Sequence, residues 1–321
     1  MQEVRIQNQN LFKNFTEFRV RRKTAWLLPH LPCEKNFSRH TSKNRSRPFL
    51  TGKNFLKKKI TLTMNPITNS CSINLLNKQP SLVHAFSLRS YEQEDDTIGE
   101  LNFATGGQSK ALNMQRFLRS IGVHKDAVFL VRQVHGDAVY ALKDASASNG
   151  QVAAVPADAI LTRLIDMPIG ILTADCIPVV VYDIRLRVAG VIHAGRKGTA
   201  QRIVSKTIQT MQKIYGSRPQ DILAGMGPGI GVCCYEVSAN CIEPFKKLYH
   251  DWAGFVNSLP SGKFMLDLFS ANAQDAQMAG IEPKNISKMG ACTSCQVERF
   301  FSYRREGTTG RMLTVAMLTA D

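Results

Sequence analysis

The chain has 321 residues, 44% hydrophobic and 21% charged, the balance of an ordinary globular protein with length for one large or two modest domains. No window approaches the roughly 18 consecutive apolar residues of a membrane helix, which excludes a helical span. The formal net charge of +16 points towards a polyanionic partner, but its distribution removes most of that implication.

Residues 1–63 carry 15 of the 41 Lys and Arg residues and only three acids, Glu3, Glu17 and Glu34. They hold +12 of the charge and leave +4 for the other 258 residues. Nucleic-acid binding by the body, 64–321, is therefore not expected, nor is a membrane partner. The basic segment lacks sustained apolar periodicity and has no apolar run ending in a small-residue cleavage site. It reads as a disordered N-terminal extension. Two alternatives remain: sequence upstream of a natural start at Met64, where the composition changes, and an acid-poor organellar transit segment. Eight cysteines are too few for a disulfide scaffold at this length. They are expected as reduced thiols in a cytoplasmic protein, some of them candidate metal ligands.

Along the body, Met114, Phe117, Leu118 and Ile121 have the i, i+3, i+4, i+7 spacing of a helix, and residues 127–134 (AVFLVRQV) read as a strand. Lys143–Gln151 reads as a surface loop. Ile169–Leu172, Pro178–Asp183 and Val188–Ile192 are branched apolar runs of strand length. Val204, Ile208, Met211 and Ile214 form the stripe of a helix opening after Gly198. Asp221–Met226 is a further strand, and Leu266–Ala279 a helix stopped by Gly280. No 20–50-residue period recurs, and no Pro-, Gly- or Ser-rich linker divides residues 65–321. A single mixed α/β domain, with mixed β-sheet layers and packed helices, is the simplest account.

The polar residues of interest fall at strand ends, where α/β proteins place reactive groups. His135 follows the first strand in QVHGD, Asp175 and Cys176 follow another in LTADCIP, and His193 ends a third in VIHAGRKG. Two imidazoles and a thiolate suit Zn²⁺ and leave a fourth position for water or substrate. Without metal, Cys176 and a histidine could instead be a nucleophile and its base. Separations of 41 and 17 residues do not choose between these. Each residue taken singly also has a structural reading, a hydrogen-bonded histidine or a buried inert thiol.

Other features are weaker. Cys292-x-x-Cys295 with Cys233-Cys234 offers four thiolates, but adjacent cysteines chelate less well than C-x-x-C, and no second C-x-x-C exists. GMGPGIG at 225–231 lacks the Lys-Ser/Thr of a P-loop and the spacing of a dinucleotide fingerprint. Arg299, Arg304 and Arg305 alternate with Phe300, Phe301 and Tyr303, which serves equally a phosphate site or a solvent-facing strand. Arg196 and Lys197, beside His193 at an opening helix, are better placed for an anion.

Seven motifs in order, QVHG, ADAILT, TADCIPVV, VIHAG-x-x-G, GPGIGVCCYEV, LDL-x-x-AN and CTSC-x-x-x-RFFSYRREG-x-TGRM, resemble the laccase-domain family, also called polyphenol oxidase or multicopper oxidase-like proteins. The resemblance runs from about Leu82 to Ala320, and family members are regarded as purine nucleoside phosphorylases. It implies a compact mixed α/β fold. It also implies a metal site of His135, Cys176 and His193, with zinc the usual ion and copper the alternative. The implied reaction is phosphorolysis of adenosine, inosine and methylthioadenosine to free base and the ribose 1-phosphate, with adenosine deamination as a further activity. Purine nucleosides and phosphate are thus the implied partners.

Arg89 and Asn102 carry over as substrate or phosphate contacts, joined by Arg196, Lys197 and Arg304. Asp175 stands as a candidate for proton transfer or for orienting a histidine. The chain departs from the family where the usual His-Ala-Gly-Trp-Arg-Gly reads His193-Ala194-Gly195-Arg196-Lys197-Gly198. An aromatic face is lost, and Lys cannot fork onto phosphate as Arg does. The segment after the first strand keeps only Arg89, followed by Ser90-Tyr91. A blue-copper oxidase with a trinuclear centre is disfavoured, because it needs about ten histidines in His-x-His pairs; the chain has seven and no such pair. The alternatives are a cysteine hydrolase, with Cys176 as nucleophile and His135 or His193 as base, and a non-catalytic zinc-stabilised binding protein.

Overall fold

Ile177–Asp183 and Val188–Ala194 pair as an antiparallel hairpin in which every strand residue is buried. Successive side chains on a strand point to opposite faces, so runs this apolar must be covered on both. On one face, Ile177, Val179 and Val181 pack with Ile203, Val204, Ile208 and Met211. On the other, Val180 and Tyr182 pack with Leu82, Phe86, Ile169 and Ile171. The computed structural model describes residues 69–92, 97–104, 107–145 and 153–320, and among these no helix is long and apolar enough to cross a membrane. The expected extension 1–63 and residues 146–151 of the expected loop lie outside the described residues.

The hairpin is the middle of a six-stranded sheet ordered Ile286–Lys288, Ile222–Met226, Ile177–Asp183, Val188–Ala194, Ala159–Thr162, Val139–Leu142. The two outermost pairings are parallel and the three inner ones antiparallel, so the sheet is mixed. A second, antiparallel sheet of Ser70–Cys71, Leu82–Ser87, Met312–Leu318 and Ile169–Thr173 covers one face. Helices Ile203–Tyr215 and Leu268–Met278 cover the other. The result is the expected mixed α/β domain. Its third expected helix is Gly107–Ser120, with Met114, Phe117 and Leu118 buried against the second sheet.

Two expectations change. Residues 127–134 contribute only a two-residue strand, Val131–Arg132, because the Gln133 carboxamide replaces the ladder. Its Nε2 donates to the Leu172 carbonyl and its Oε1 accepts from the Leu172 N–H, both at 2.8 Å. The helix expected to open after Gly198 is two helices, Arg196–Ala200 and Ile203–Tyr215, separated by Arg202 in the left-handed region at φ +63°. The buried Asp275 carboxylate fixes that break. It accepts from Arg202 Nε at 2.9 Å and caps the longer helix through the Ser205 N–H at 3.0 Å.

The short helix is pinned from below. Tyr249 Oη donates to the Thr199 carbonyl at 2.6 Å, and Asn272 Nδ2 donates to Thr199 Oγ1 at 3.1 Å. The turn Gly195–Gly198 is thereby held against the core, with His193 opposite Pro178 in the hairpin register.

His84, on Leu82–Ser87, is buried and accepts the Ile73 N–H at Nε2, 3.0 Å away. Burial pushes its pKa down to about 4. The folded state therefore favours neutral imidazole while the unfolded chain protonates near its ordinary value. Stability is full above about pH 6.5 and falls as pH drops towards 4, by up to about 3 kcal/mol. His84→Gln, which keeps an acceptor, is expected to flatten that part of the melting-temperature profile; an unchanged slope would show that another group carries it.

Candidate active site

Three chain reversals converge beside the hairpin. Cys176 sits in the crossover from Ile169–Thr173 of one sheet to Ile177–Asp183 of the other, a turn made by Asp175 at φ +90°. His193 is the buried penultimate residue of Val188–Ala194. His135 lies in the loop after Val131–Arg132, at φ +59°, and is exposed. One ligand atom from each of His135, Cys176 and His193 lies within 4.8 Å of the others. The two imidazoles meet edge to face, with centroids 4.7 Å apart.

A residue not read as functional from the sequence organises this group. Asp158, fully buried in the ADAILT motif, accepts from His193 Nδ1 at 2.7 Å. The same carboxylate accepts the backbone N–H groups of Val134, His135 and Gly136 at 3.2, 3.0 and 2.7 Å. Burial alone would raise the Asp158 pKa, but the His193 hydrogen bond and these amides hold it below the ordinary carboxylate range. With Nδ1 engaged, His193 presents Nε2 to the cluster, as metal-ligating histidines do. Burial would likewise raise the Cys176 thiol, yet the His193 charge and hydrogen bonds from both imidazoles bring it down to about 6. Against its own burial, His193 is raised by the thiolate and by Asp158. Two nitrogens and a thiolate sulfur this close form a donor set that fits a zinc-type ion with a position left open.

Asp175 holds neither histidine. Its Oδ1 accepts from Thr293 Oγ1 and its Oδ2 from the Arg304 N–H, each at 2.6 Å, so it fixes a neighbouring wall. That wall belongs to a cavity of about 1050 Å³ lined by the three cluster residues and by Arg196, Lys197, Tyr235, Arg304 and Arg311. Arg304 lies over the Tyr235 ring at 5.0 Å and donates to the Glu236 carbonyl. Arg89 and Asn102 do not line this cavity. Arg89 pairs with Glu306 at 3.0 Å and stacks on Phe301, while Asn102 Oδ1 accepts the Arg311 N–H at 3.1 Å and so positions a residue that does line it. Arg299 stacks on Phe300 and Arg305 holds the carbonyls of Thr293 and Ser294, so of that basic run only Arg304 reaches the cavity.

Fold and site define a layered mixed α/β protein with a two-histidine, one-cysteine cluster that could hold a metal, set in a cationic pocket. The sequence profile of the Multi-copper polyphenol oxidoreductase laccase family matches residues 83–319, and the chain belongs to that family. It is 36% identical over 200 residues to adenosine deaminase RL5 of an unknown prokaryotic organism, covering 60% of this chain and 76% of that one. It is 34% identical over 215 residues to a purine nucleoside phosphorylase of Corynebacterium glutamicum, covering 67% and 83%. The crystal structure of the Bacillus licheniformis hypothetical protein YfiH superposes at a TM-score of 0.71 and 28% identity, over 78% of this chain and 97% of that one. Geobacillus stearothermophilus YlmD, at 0.70 and 24% identity over 80% and 98%, shares the fold.

Replacing Asp158 with Asn removes the charge that orients His193 and leaves an amide group facing backbone donors. Metal affinity at the cluster is expected to fall about 10–100-fold, measured by competition with a chromogenic chelator; wild-type affinity would refute the orienting role. A Cβ at Gly195 would meet Cys176 Sγ at 2.9 Å and His135 Cδ2 at 3.2 Å. Gly195→Ala is therefore expected to weaken metal binding while leaving the circular dichroism spectrum unchanged.

Proposed function

We propose that this chain is a zinc-dependent purine nucleoside phosphorylase. It cleaves adenosine, inosine and methylthioadenosine with phosphate to the free base and the ribose 1-phosphate or its methylthio counterpart, and it deaminates adenosine as a further activity. The observation that carries the reading is the His135, Cys176 and His193 cluster opening onto a cavity ringed by Arg196, Lys197, Arg304 and Arg311. Zinc accepts mixed imidazole and thiolate donors and, having no redox chemistry, supplies only the Lewis acidity that phosphorolysis and deamination need. The names of the relatives supply the substrate class.

Phosphorolysis forms a bond from a phosphate oxygen to the anomeric carbon as the glycosidic carbon–nitrogen bond breaks. The base departs with that electron pair and is stabilised by a proton or a Lewis acid. Arg196, Lys197 and Arg304 neutralise phosphate and aim it, supplying the electrostatic part of the catalysis. Lys197 does so as a point charge, since it lacks the planar fork of arginine. Asp175 positions Arg304 through the Arg304 backbone N–H, and the aromatic rings lining the cavity, where Arg196 replaces the usual tryptophan, are Tyr303 and Tyr235, the latter carrying Arg304 on one face. Bound at the cluster, zinc would supply a Lewis acid for charge developing on the purine.

A second reading draws on a specific feature. Cys176, His193 and Asp158 also have the order of a nucleophile, base and orienting carboxylate, and the thiol is already acidified. A cysteine hydrolase would lose activity irreversibly to iodoacetamide and be indifferent to chelators. The phosphorylase is expected to be silenced by a chelator and restored by zinc. With inosine and phosphate, the metal-replete protein is expected to release hypoxanthine. Cys176→Ala and His193→Ala are each expected to abolish that release with the fold intact; near-normal turnover in either variant would refute the assignment, and the absence of any turnover by the wild type would favour a binding protein.

A further inference from the structure

A second group of donors lies outside the three-residue cluster. Cys233, Cys234, Cys292 and Cys295 each bring a sulfur to one place, with all four atoms within 4.8 Å of one another. Cys295 Sγ lies 3.4 Å from the sulfurs of both Cys233 and Cys234. Sequence spacing disfavoured this arrangement, because it has one C-x-x-C and one adjacent pair. Two loops bring the pairs together. Gly229 and Cys292 form a parallel bridge, with the Gly229 N–H donating to the Ala291 carbonyl at 3.1 Å and the Thr293 N–H to the Gly229 carbonyl at 3.0 Å. A Cβ at Gly231 would meet Cys292 Cβ at 3.1 Å and Cys233 Sγ at 3.2 Å, so glycine lets that loop close over the sulfurs.

We infer that these four cysteines form a structural Zn²⁺ site, separate from the proposed catalytic ion. At zinc–sulfur bonds of about 2.3 Å, tetrahedral geometry separates the sulfurs by about 3.8 Å. The observed spacings, 3.4 Å for two pairs and at most 4.8 Å for all, bracket that value. They leave no room for a cluster of several irons, whose ligands stand further apart. At Cys292 the surroundings suit a thiolate. The Gly231 N–H donates to Cys292 Sγ at 3.2 Å, and the Cys295 N–H donates to the same sulfur. Two backbone donors on that one sulfur support it as a thiolate ligand. Cys292 is buried and Cys233 exposed, giving an anchored base and an entry path. On binding, the four thiols release their protons to solvent.

The ion would clip together the loops that build one wall of the cavity. The loop of Cys233 and Cys234 runs on to Tyr235, and the loop of Cys292 and Cys295 carries Thr293, which donates to Asp175 next to Cys176. Arg305 Nη1 already braces the second loop at the Thr293 and Ser294 carbonyls, 2.7 and 2.9 Å away.

The test uses the full chain carrying Cys176→Ala, which removes a ligand of the other cluster. Purified under reducing conditions, it is expected to hold about one zinc per chain by elemental analysis, and its cobalt-substituted form to show the intense visible bands of tetrahedral thiolate coordination. Adding Cys295→Ser is expected to remove both signals. Cys295→Ser alone should lower metal content by about one equivalent relative to wild type, whatever occupies the other cluster. The inference is overturned if the Cys176→Ala chain is folded but metal-free, if any of the four cysteines forms a disulfide in it, or if it carries iron and acid-labile sulfide. None of these outcomes depends on nucleoside turnover, so this site and the phosphorylase reading fail separately.

Discussion

A single buried carboxylate underlies the site. Asp158 takes one hydrogen bond from the His193 ring and three from the backbone of the loop carrying His135. Removing a carboxylate from water is costly unless its lone pairs are satisfied, and here the groups that satisfy it are those that must be aimed. One anion therefore sets the tautomer of one histidine and holds the other in a left-handed backbone conformation that a non-glycine residue adopts only when its surroundings impose it. The order of the cluster and the burial of Asp158 are the same fact viewed from two sides.

The hairpin supplies the rigidity this arrangement needs. Ile177–Asp183 and Val188–Ala194 are buried on both faces, so their ends cannot shift without opening two hydrophobic layers. Cys176 precedes the first strand and His193 nearly ends the second, and antiparallel pairing brings them side by side. The cationic residues are placed with less constraint. Arg196 and Lys197 sit on a short helix pinned through Thr199, and Arg304 depends on Asp175 and on the loops around the four cysteines. The candidate metal cluster thus rests on the core, and the cationic residues on the periphery.

Much of the fold was legible in the sequence because burial on both sides of a strand leaves a continuous branched apolar run, as at 178–183 and 188–192, and burial on one side of a helix leaves a stripe, as at Val204, Ile208 and Met211. The strand expected over 127–134 shrank because a side chain, Gln133, does the work of backbone hydrogen bonds, which no hydrophobic pattern reports. Arg202 broke the expected helix for a similar reason: its partner Asp275 is 73 residues away. Asp158 stands within ADAILT, yet an aspartate after Pro and Ala reads as a turn residue until its partners are seen. Asp175 looked like the orienting group because it is next to Cys176, but at φ +90° its side chain turns towards Thr293 and Arg304.

By itself, the sequence determined the residue types available for chemistry, the apolar segments that must pair, and the confinement of most of the positive charge to residues 1–63. These are properties of composition and local periodicity, carried by neighbours along the chain. The tertiary structure alone decided which donors meet. Adjacent cysteines that chelate poorly as a pair join a distant C-x-x-C, Arg89 is drawn into an ion pair with Glu306 away from the cavity, and Arg311 takes a place in its wall. Coordination and ion pairing act over a few ångströms in space and are indifferent to separation along the chain, so folding had to bring these groups together before their chemistry could be read.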